Sequence, residues 1–296
     1  GKGRRDLIYQ QIRPLLSCGG FFCLPKMKLT GLKLSEPLKA PCVSGITEMA
    51  PLSRPVFVSD LHLSGRNKKT VLGFLWFLKT QPKNYDELFL LGDIFEYWIG
   101  DDASSPAEPL ARALRKYASL GKRVYLMQGN RDFLIGEDFA RHCGAELVAD
   151  GTVVDCSGKR ILLSHGDKWC TLDDEYQEFR RQMHDEAFQL MALRMTVEER
   201  IDFAKKARAQ SKKTKTERSR EMMDVVYDEV ACEVFAKNCA HVIHGHTHRP
   251  AHYVYDNFTR TVIPDWDLDD KNRPRKGWVE INSAGEPQVV LSEHFF

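Results

Sequence analysis

Leu88-Phe89-Leu90-Leu91-Gly92-Asp93 is the stretch on which the fold turns. Four consecutive apolar residues without polar alternation describe a strand covered on both faces. The glycine lets the chain turn tightly, so a carboxylate stands at the carboxyl end of that strand. The same arrangement recurs outward in both directions. Val56-Phe57-Val58 runs into Ser59-Asp60-Leu61-His62, and Val124-Tyr125-Leu126-Met127 runs toward Gly129-Asn130-Arg131-Asp132. Ile161-Leu162-Leu163 leads to Ser164-His165-Gly166-Asp167, and Val242-Ile243 to His244-Gly245-His246-Thr247-His248. Between these runs Val71, Leu72, Leu75, Phe77 and Leu78 fall at helical spacing, as do Leu110, Ala113, Leu114 and Tyr117. Strands alternating with helices predict an α/β layered sheet.

One interval breaks the alternation. From Thr171 to about Val225 only helical periodicity is present: Tyr176, Phe179, Met183; then Phe188, Met191, Leu193; then Ile201, Phe203, Ala204. This reads as a helical cap of about 171–225, rich in Lys and Arg from Arg194 to Arg220, inserted in a domain of 51–296. Residues 1–50 carry Gly19-Gly20, no sustained period and no signal-type cleavage site. They read as a leader, poorly ordered or foreign to the natural chain, with Met49 as a candidate start.

Bulk properties set limits. A chain of 296 residues can bury a large core, and its net charge of +2 argues for no particular partner. The eight cysteines show no CxxC spacing, which suits reduced thiols in a cytosolic setting. No apolar run approaches the roughly 20 residues of a membrane span. Any membrane contact is therefore expected to be peripheral.

Ligands of open α/β sheets collect outside the carboxyl ends of the strands. Five strand ends would bring Asp60, His62, Asp93, Asn130, His165, His246 and His248 into one volume. That donor set suits two divalent cations about 3.5–4 Å apart, able to clamp the attacking and leaving oxygens of a phosphoryl displacement. So short a separation calls for a shared anionic ligand, and Asp93 is the expected bridge. Imidazoles mixed with carboxylates and an amide favour manganese, iron or zinc over magnesium. Each motif alone has an ordinary reading. Asp-x-His can be a capped turn, Gly-Asp and Gly-Asn are common turns, and Gly-His-Thr-His can be a surface cluster. Their conjunction, each directly after a buried-strand signal, favours the metal site. His142, His184, His241, His252 and His294 lack that context, and His244 is as readily a partner behind the ligands as a spectator.

These residues, in this order, resemble the calcineurin-like metallophosphoesterase superfamily. The similarity covers roughly residues 55–270 and is closest to the branch acting on acylated nucleotide sugars, through Leu91 to Asp102, Gly129 to Leu134, His165-Gly-Asp167 and Ile243 to Pro250. It implies a layered β-sandwich flanked by helices. It implies one metal held by Asp60, His62, Asp93 and His248, and another by Asp93, Asn130, His165 and His246, with manganese as the cation. Asp93, Asn130, Arg131 and His246 would be catalytic; Asn130, Arg131, Asp173, Ser211, Lys215, Arg218 and His246 would contact substrate. Lys215 stands where a short polar residue is familiar, and Arg218 where lysine is. The implied reaction uses metal-activated water to cleave UDP-2,3-diacylglucosamine to UMP and 2,3-diacylglucosamine 1-phosphate, a step of lipid A biosynthesis. The implied setting is cytoplasmic, peripheral on the inner face of the inner membrane, for a monomer with no nucleic-acid partner.

Arg131 stands where most of the superfamily carries histidine. A guanidinium offers a permanent charge and a bidentate fork for a diphosphate; the ordinary alternative is structural pairing with Asp132. In the cap, Phe133, Phe179, Met183, Phe188, Met191, Met195 and Phe203 could line a slot for acyl chains, or simply pack the cap on the core. Lys205, Lys206, Lys212 and Lys213 would face anionic lipid.

Overall fold

The computed structural model describes residues 49–215, 219 and 221–292, with backbone alone for 212–215. Residues 1–48 of the expected leader, and Arg218, lie outside the described residues. Among the described residues there are two sheets. The first has the order β11-β10-β1-β2-β3-β4, with β1 (Pro55–Val58), β2 (Glu87–Leu91), β3 (Arg123–Met127) and β4 (Glu146–Leu147) mutually parallel. Antiparallel β10 (Gly277–Ile281) and β11 (Pro287–Leu291) complete one side of it. The second has the order β5-β6-β7-β9-β8, in which β6 (Lys159–Ser164), β7 (His241–His244) and β9 (Thr259–Val262) run parallel. β5 (Val153–Cys156) and β8 (Ala251–Val254) are its antiparallel edges.

The two-residue alternation of a strand sorts each apolar run between two cores. Phe57, Phe89, Leu91, Tyr125 and Met127 point from the first sheet toward Val154, Cys156, Ile161, Leu163 and Ile243 of the second. Phe57, Phe89 and Tyr125 stack in sequence, with ring centroids 5.1 and 4.6 Å apart. Val56, Val58, Leu88, Leu90, Val124 and Leu126 point the other way, onto helices α1 (Lys68–Thr80), α2 (Glu108–Ala118) and α3 (Glu137–Cys143). On the far side Leu162 and Val242 meet Val230, Ala231 and Val234 of α7 (Tyr227–Ala236). The result is a β-sandwich with helices on both outer faces. Each fully buried Leu, Val or Phe contributes roughly 1.5–3 kcal/mol, which is why these runs carry no polar alternation.

Among the described residues three α-helices lie between β6 and α7: α4 (Asp174–Met183), α5 (Glu186–Leu193) and α6 (Val197–Lys215). Asp173 caps α4 by accepting from the Tyr176 amide at 3.0 Å, and Asp185 caps α5 by accepting from Phe188 at 2.8 Å. Their apolar side chains continue the helical-side core: Met183 is buried within it, and Phe179, Phe188, Leu193 and Phe203 pack against it beside Phe133. α6 is also tied down by charge. Arg200, itself buried, donates to Asp102 and to the Ile99 carbonyl, and Arg208 donates to Glu96.

Candidate active site

The seven expected donors meet at the carboxyl ends of β1, β2, β3, β6 and β7. Pairing between neighbouring strands continues into the loops: Asp60 N donates to Gly92 O at 3.1 Å, His62 N to Asp93 O at 2.9 Å, and Gly245 N to His165 O at 3.0 Å. Glycines permit the close approach. A Cβ on Gly129 would collide with the backbone nitrogen and carboxylate of Asp93, and one on Gly245 with the Asp60 carboxylate. The backbone is strained where the expected ligands sit. Among the described residues seven non-glycine residues have positive φ, and five are Asp60 (54°), His62 (46°), Asp93 (51°), His246 (67°) and His248 (54°). Left-handed non-glycine backbone costs on the order of 1–3 kcal/mol each and persists where the surroundings over-determine it. The strain is concentrated on the donors.

His165 Nδ1 donates to the Leu91 carbonyl at 2.9 Å, which fixes its ring and turns Nε2 toward Asn130 Oδ1 at 3.0 Å and Asp93 Oδ1 at 3.7 Å. His246 Nδ1 lies 3.0 Å from the same Asn130 oxygen. On the other side His248 Nε2 is 3.3 Å from Asp60 Oδ1, and His62 Nδ1 is 3.8 Å from Asp93 Oδ2. Asp60, His62 and His248 form one compact donor group; Asp60, Asp93 and His165 form a second. Asp60 is common to both, while Asp93 turns a separate oxygen toward each side.

The residues fit cations. Asp60 Oδ1 and His62 Nδ1 are buried with no hydrogen-bond partner, and such atoms cost about 1–3 kcal/mol each when left unsatisfied. Burial, then Arg131 and His248, holds the His62 imidazole well below its usual range. Burial, then His165, lowers His246 to about 3. Both rings therefore keep a free lone pair at neutral pH. For Asp60, burial would favour the neutral acid, but His248, His165 and His62 override it and hold the carboxyl well down. Burial and the neighbouring Asp60 raise Asp93, against His165 and Arg131. His165 is the reverse case: burial would lower it, but Asp93, Asp60 and Asp167 raise it to about 9.

Arg131 does not pair with Asp132. Its backbone N–H donates to Asp93 Oδ1 at 2.9 Å, its Nε lies 3.3 Å from Asp93 Oδ2, and its Nη1 donates to Glu96 at 2.8 Å. Asp132 instead accepts from the backbone amides of Gly129, Asp93, Ile94 and Phe95, joining the loop after β3 to that after β2. Asp173 is buried at the start of α4, whose Tyr176 ring packs 5.7 Å from His246 while its hydroxyl donates to Asp167 at 2.8 Å. Ser211 is exposed on α6, and Lys215 ends that helix with its side chain outside the described residues.

His244 packs behind the turn. It is buried edge-on to Trp169, with Nδ1 against Gly245 O at 2.9 Å and Arg260 Nη1 3.3 Å from Nε2. His142 pairs with Glu108 at 2.6 Å, and His252 with Thr261 at 2.9 Å. Sequence reading did not single out Glu96, Arg208 or Tyr176 as individual site residues. Arg208 is one cation among many in a basic helix, and nothing in its spacing separates it from the others.

With this geometry in place, the family described as calcineurin-like phosphoesterase matches residues 53–250, and the chain belongs to it as a metal-dependent hydrolase of phosphoric esters or diphosphates. Individual relatives narrow the class. The chain is similar to the UDP-2,3-diacylglucosamine hydrolases of Chromohalobacter salexigens (38% identity; 79% of this chain, 95% of the relative) and Stenotrophomonas maltophilia (43%; 71% and 90%). It is also similar to that of Marinobacter nauticus (44%; 72% and 89%). Within the calcineurin-like class it is thus a member of the family these hydrolases form.

Proposed function

We propose that this chain hydrolyses UDP-2,3-diacylglucosamine at its diphosphate, releasing UMP and 2,3-diacylglucosamine 1-phosphate for lipid A biosynthesis. The observation that carries this reading is Arg131 held against Asp93 and Glu96 at the rim of the seven-donor cluster, together with the similarity to hydrolases of that name.

Two divalent cations, manganese by donor type, would be held by Asp60, His62, Asp93 and His248 on one side and by Asp93, Asn130, His165 and His246 on the other, with Asp93 shared. When bound they supply Lewis acidity, acidifying a water and neutralising phosphoryl oxygens. Arg131 places a fixed charge and two parallel N–H groups where the diphosphate lies. The departing sugar phosphate is already a stabilised anion, so a proton donor at that position is dispensable. Asn130 and His246 orient the phosphoryl group, and Asp173, Ser211, Lys215 and Arg218 contact the nucleotide sugar. The helices within about 171–225 act as a cap over the site. Phe133, Phe179, Met183, Phe188, Met191, Met195 and Phe203 receive acyl carbons, each buried CH₂ contributing about 0.8 kcal/mol. No helix among the described residues is long and apolar enough to cross a membrane. Lys205 and Lys206, both exposed, serve a peripheral contact with the cytoplasmic face of the inner membrane.

The test compares turnover of UDP-2,3-diacylglucosamine with its deacylated form, under manganese, zinc and chelator. Strong preference for the acylated substrate with metal supports the reading. Equal turnover of both points to a general phosphodiesterase or nucleotide phosphoesterase of the same class and overturns it.

A further inference from the structure

The loop after β9 reaches the site from a sixth strand end. It is pinned on both sides of Asp265: Ile263 N donates to His244 O at 2.7 Å, Trp266 N to Asp60 O at 3.2 Å, and the Trp266 indole to Gly277 O at 2.7 Å. Asp265 is buried. Its Oδ2 lies 3.4 Å from His248 Nδ1 and accepts from Arg275 Nε at 2.9 Å and Nη2 at 2.7 Å. Arg275 is held in turn, with paired backbone hydrogen bonds to Asp267 and an ion pair to Asp270 at 3.3 Å.

His248 has two different nitrogens. Nε2 faces Asp60 Oδ1 and His62 Nε2, at 3.3 and 3.2 Å; Nδ1 faces only away from that cluster, toward Asp265. A carboxylate on the second nitrogen of a ligating histidine fixes which nitrogen carries the proton, sets the ring plane and makes the lone pair more basic. The His248 backbone is left-handed (φ 54°), a conformation that persists only where the surroundings hold it. We infer that Asp265, itself oriented by Arg275, is a positioning residue that aims His248 Nε2 at a cation. Asp265 touches no reacting group. The inference rests on His248 being a ligand, as in the proposed function.

The test uses the full chain freed of metal by a chelator and titrated with Mn²⁺ alone, following free Mn²⁺ by electron paramagnetic resonance and fold stability by thermal unfolding. Asp265→Ala is expected to weaken one binding event by about 10–100-fold, with activity recovering at high Mn²⁺. Asp265→Asn keeps an oxygen acceptor for Nδ1–H and is expected to retain most of the affinity. Arg275→Met leaves the Asp265–His248 pair in place but loosens it, and so weakens the same event less; it serves should Asp265→Ala not fold. Lowered thermal stability in Asp265→Ala and Arg275→Met with unchanged Mn²⁺ affinity means a purely structural role and overturns the inference. His248→Ala separates the two ideas. If it loses one binding event while Asp265→Ala loses none, the inference fails and the ligand assignment stands. If His248→Ala keeps every binding event, the assignment itself fails and the inference falls with it.

Discussion

The Nε2 atoms of His62 and His248 lie 3.2 Å apart although 186 residues separate them in the chain. That is the length of an N–H···N hydrogen bond between two imidazoles, and it also brings both rings within reach of a single cation beside Asp60. Both residues also have left-handed backbone, φ 46° and 54°. Glycine adopts that conformation without penalty. His62→Gly and His248→Gly should each lose a metal equivalent and lower turnover by at least about 10²-fold. The metal-free fold should be as stable as before, or more stable by about 1 kcal/mol. Metal analysis and thermal unfolding of the chelated protein check the pair. A large loss of apo stability would show that the strain reading is wrong.

Gly129→Ala tests the crowding around Asp93. The added methyl meets the Asp93 backbone nitrogen and carboxylate, and the first of these is main chain that cannot swing aside. We expect a destabilisation of about 1–3 kcal/mol from overpacking, together with loss of most metal binding. Near-normal metal content would show that the Asp93 loop is softer than its contacts indicate.

Arg131→Lys keeps the charge but loses the fork, whereas Arg131→Ala loses both. If the guanidinium binds diphosphate, kcat/KM should fall in the order wild type, Lys, Ala, with the alanine variant down by roughly 10²-fold, or about 2.7 kcal/mol. Metal content should hardly change. Steady-state kinetics with metal analysis decide it, and equal activity of all three would remove Arg131 from the site.

Metal removal has two expected signatures. A cation bound only by the folded chain contributes about 2.7 kcal/mol at a hundredfold excess over its Kd. A fold of this size should therefore melt about 5–10 °C lower after chelation. His165, raised to about 9 by its carboxylate neighbours, carries a proton at pH 7 that a cation must displace. Adding Mn²⁺ to metal-free protein in weak buffer should acidify it at pH 7, and less so above pH 9. Absence of proton release at pH 7 would count against His165 as a ligand.

Acid sensitivity should depend partly on His241. Burial, then Lys159, lowers its pKa to about 4, against about 6.5 in an unfolded chain. Between those values the unfolded state binds a proton that the native state does not, so stability falls as pH drops from about 6.5 toward 4. Its Nε2 is buried without a partner, so protonation gains nothing in the fold. His241→Asn should show a smaller drop in melting temperature between pH 7 and 5 than the unaltered chain; an unchanged drop refutes the assignment.

Much of the architecture was legible in particular runs. Val56–Val58, Leu88–Leu91, Val124–Met127 and Ile161–Leu163 could be read because strands covered on both faces are apolar at every position. β8 could not. It lies at an edge, its residues alternate between half-buried and exposed, and Ala251-His252-Tyr253-Val254 resembles loop sequence as much as strand. β10 joins the first sheet by pairing with β1, from more than 200 residues away in sequence, and carries β11 with it, and nothing local announces such a partnership. The pairing of Arg131 likewise escaped, because Asp132 is its neighbour in the chain while Asp93 and Glu96 are its neighbours in space.

By itself the sequence determined which residues could be ligands. Each donor lies within four residues of a strand's carboxyl end, and that local order is written in apolar periodicity and in glycines that permit a turn. Only the tertiary structure decided which donors face one another, that Asp60 belongs to both donor groups, and that Asp265 and Arg275 stand behind His248. Those relationships arise from parallel strands brought side by side by burial of their two faces. Packing of that kind acts across the whole chain and leaves no mark on the spacing of any one segment.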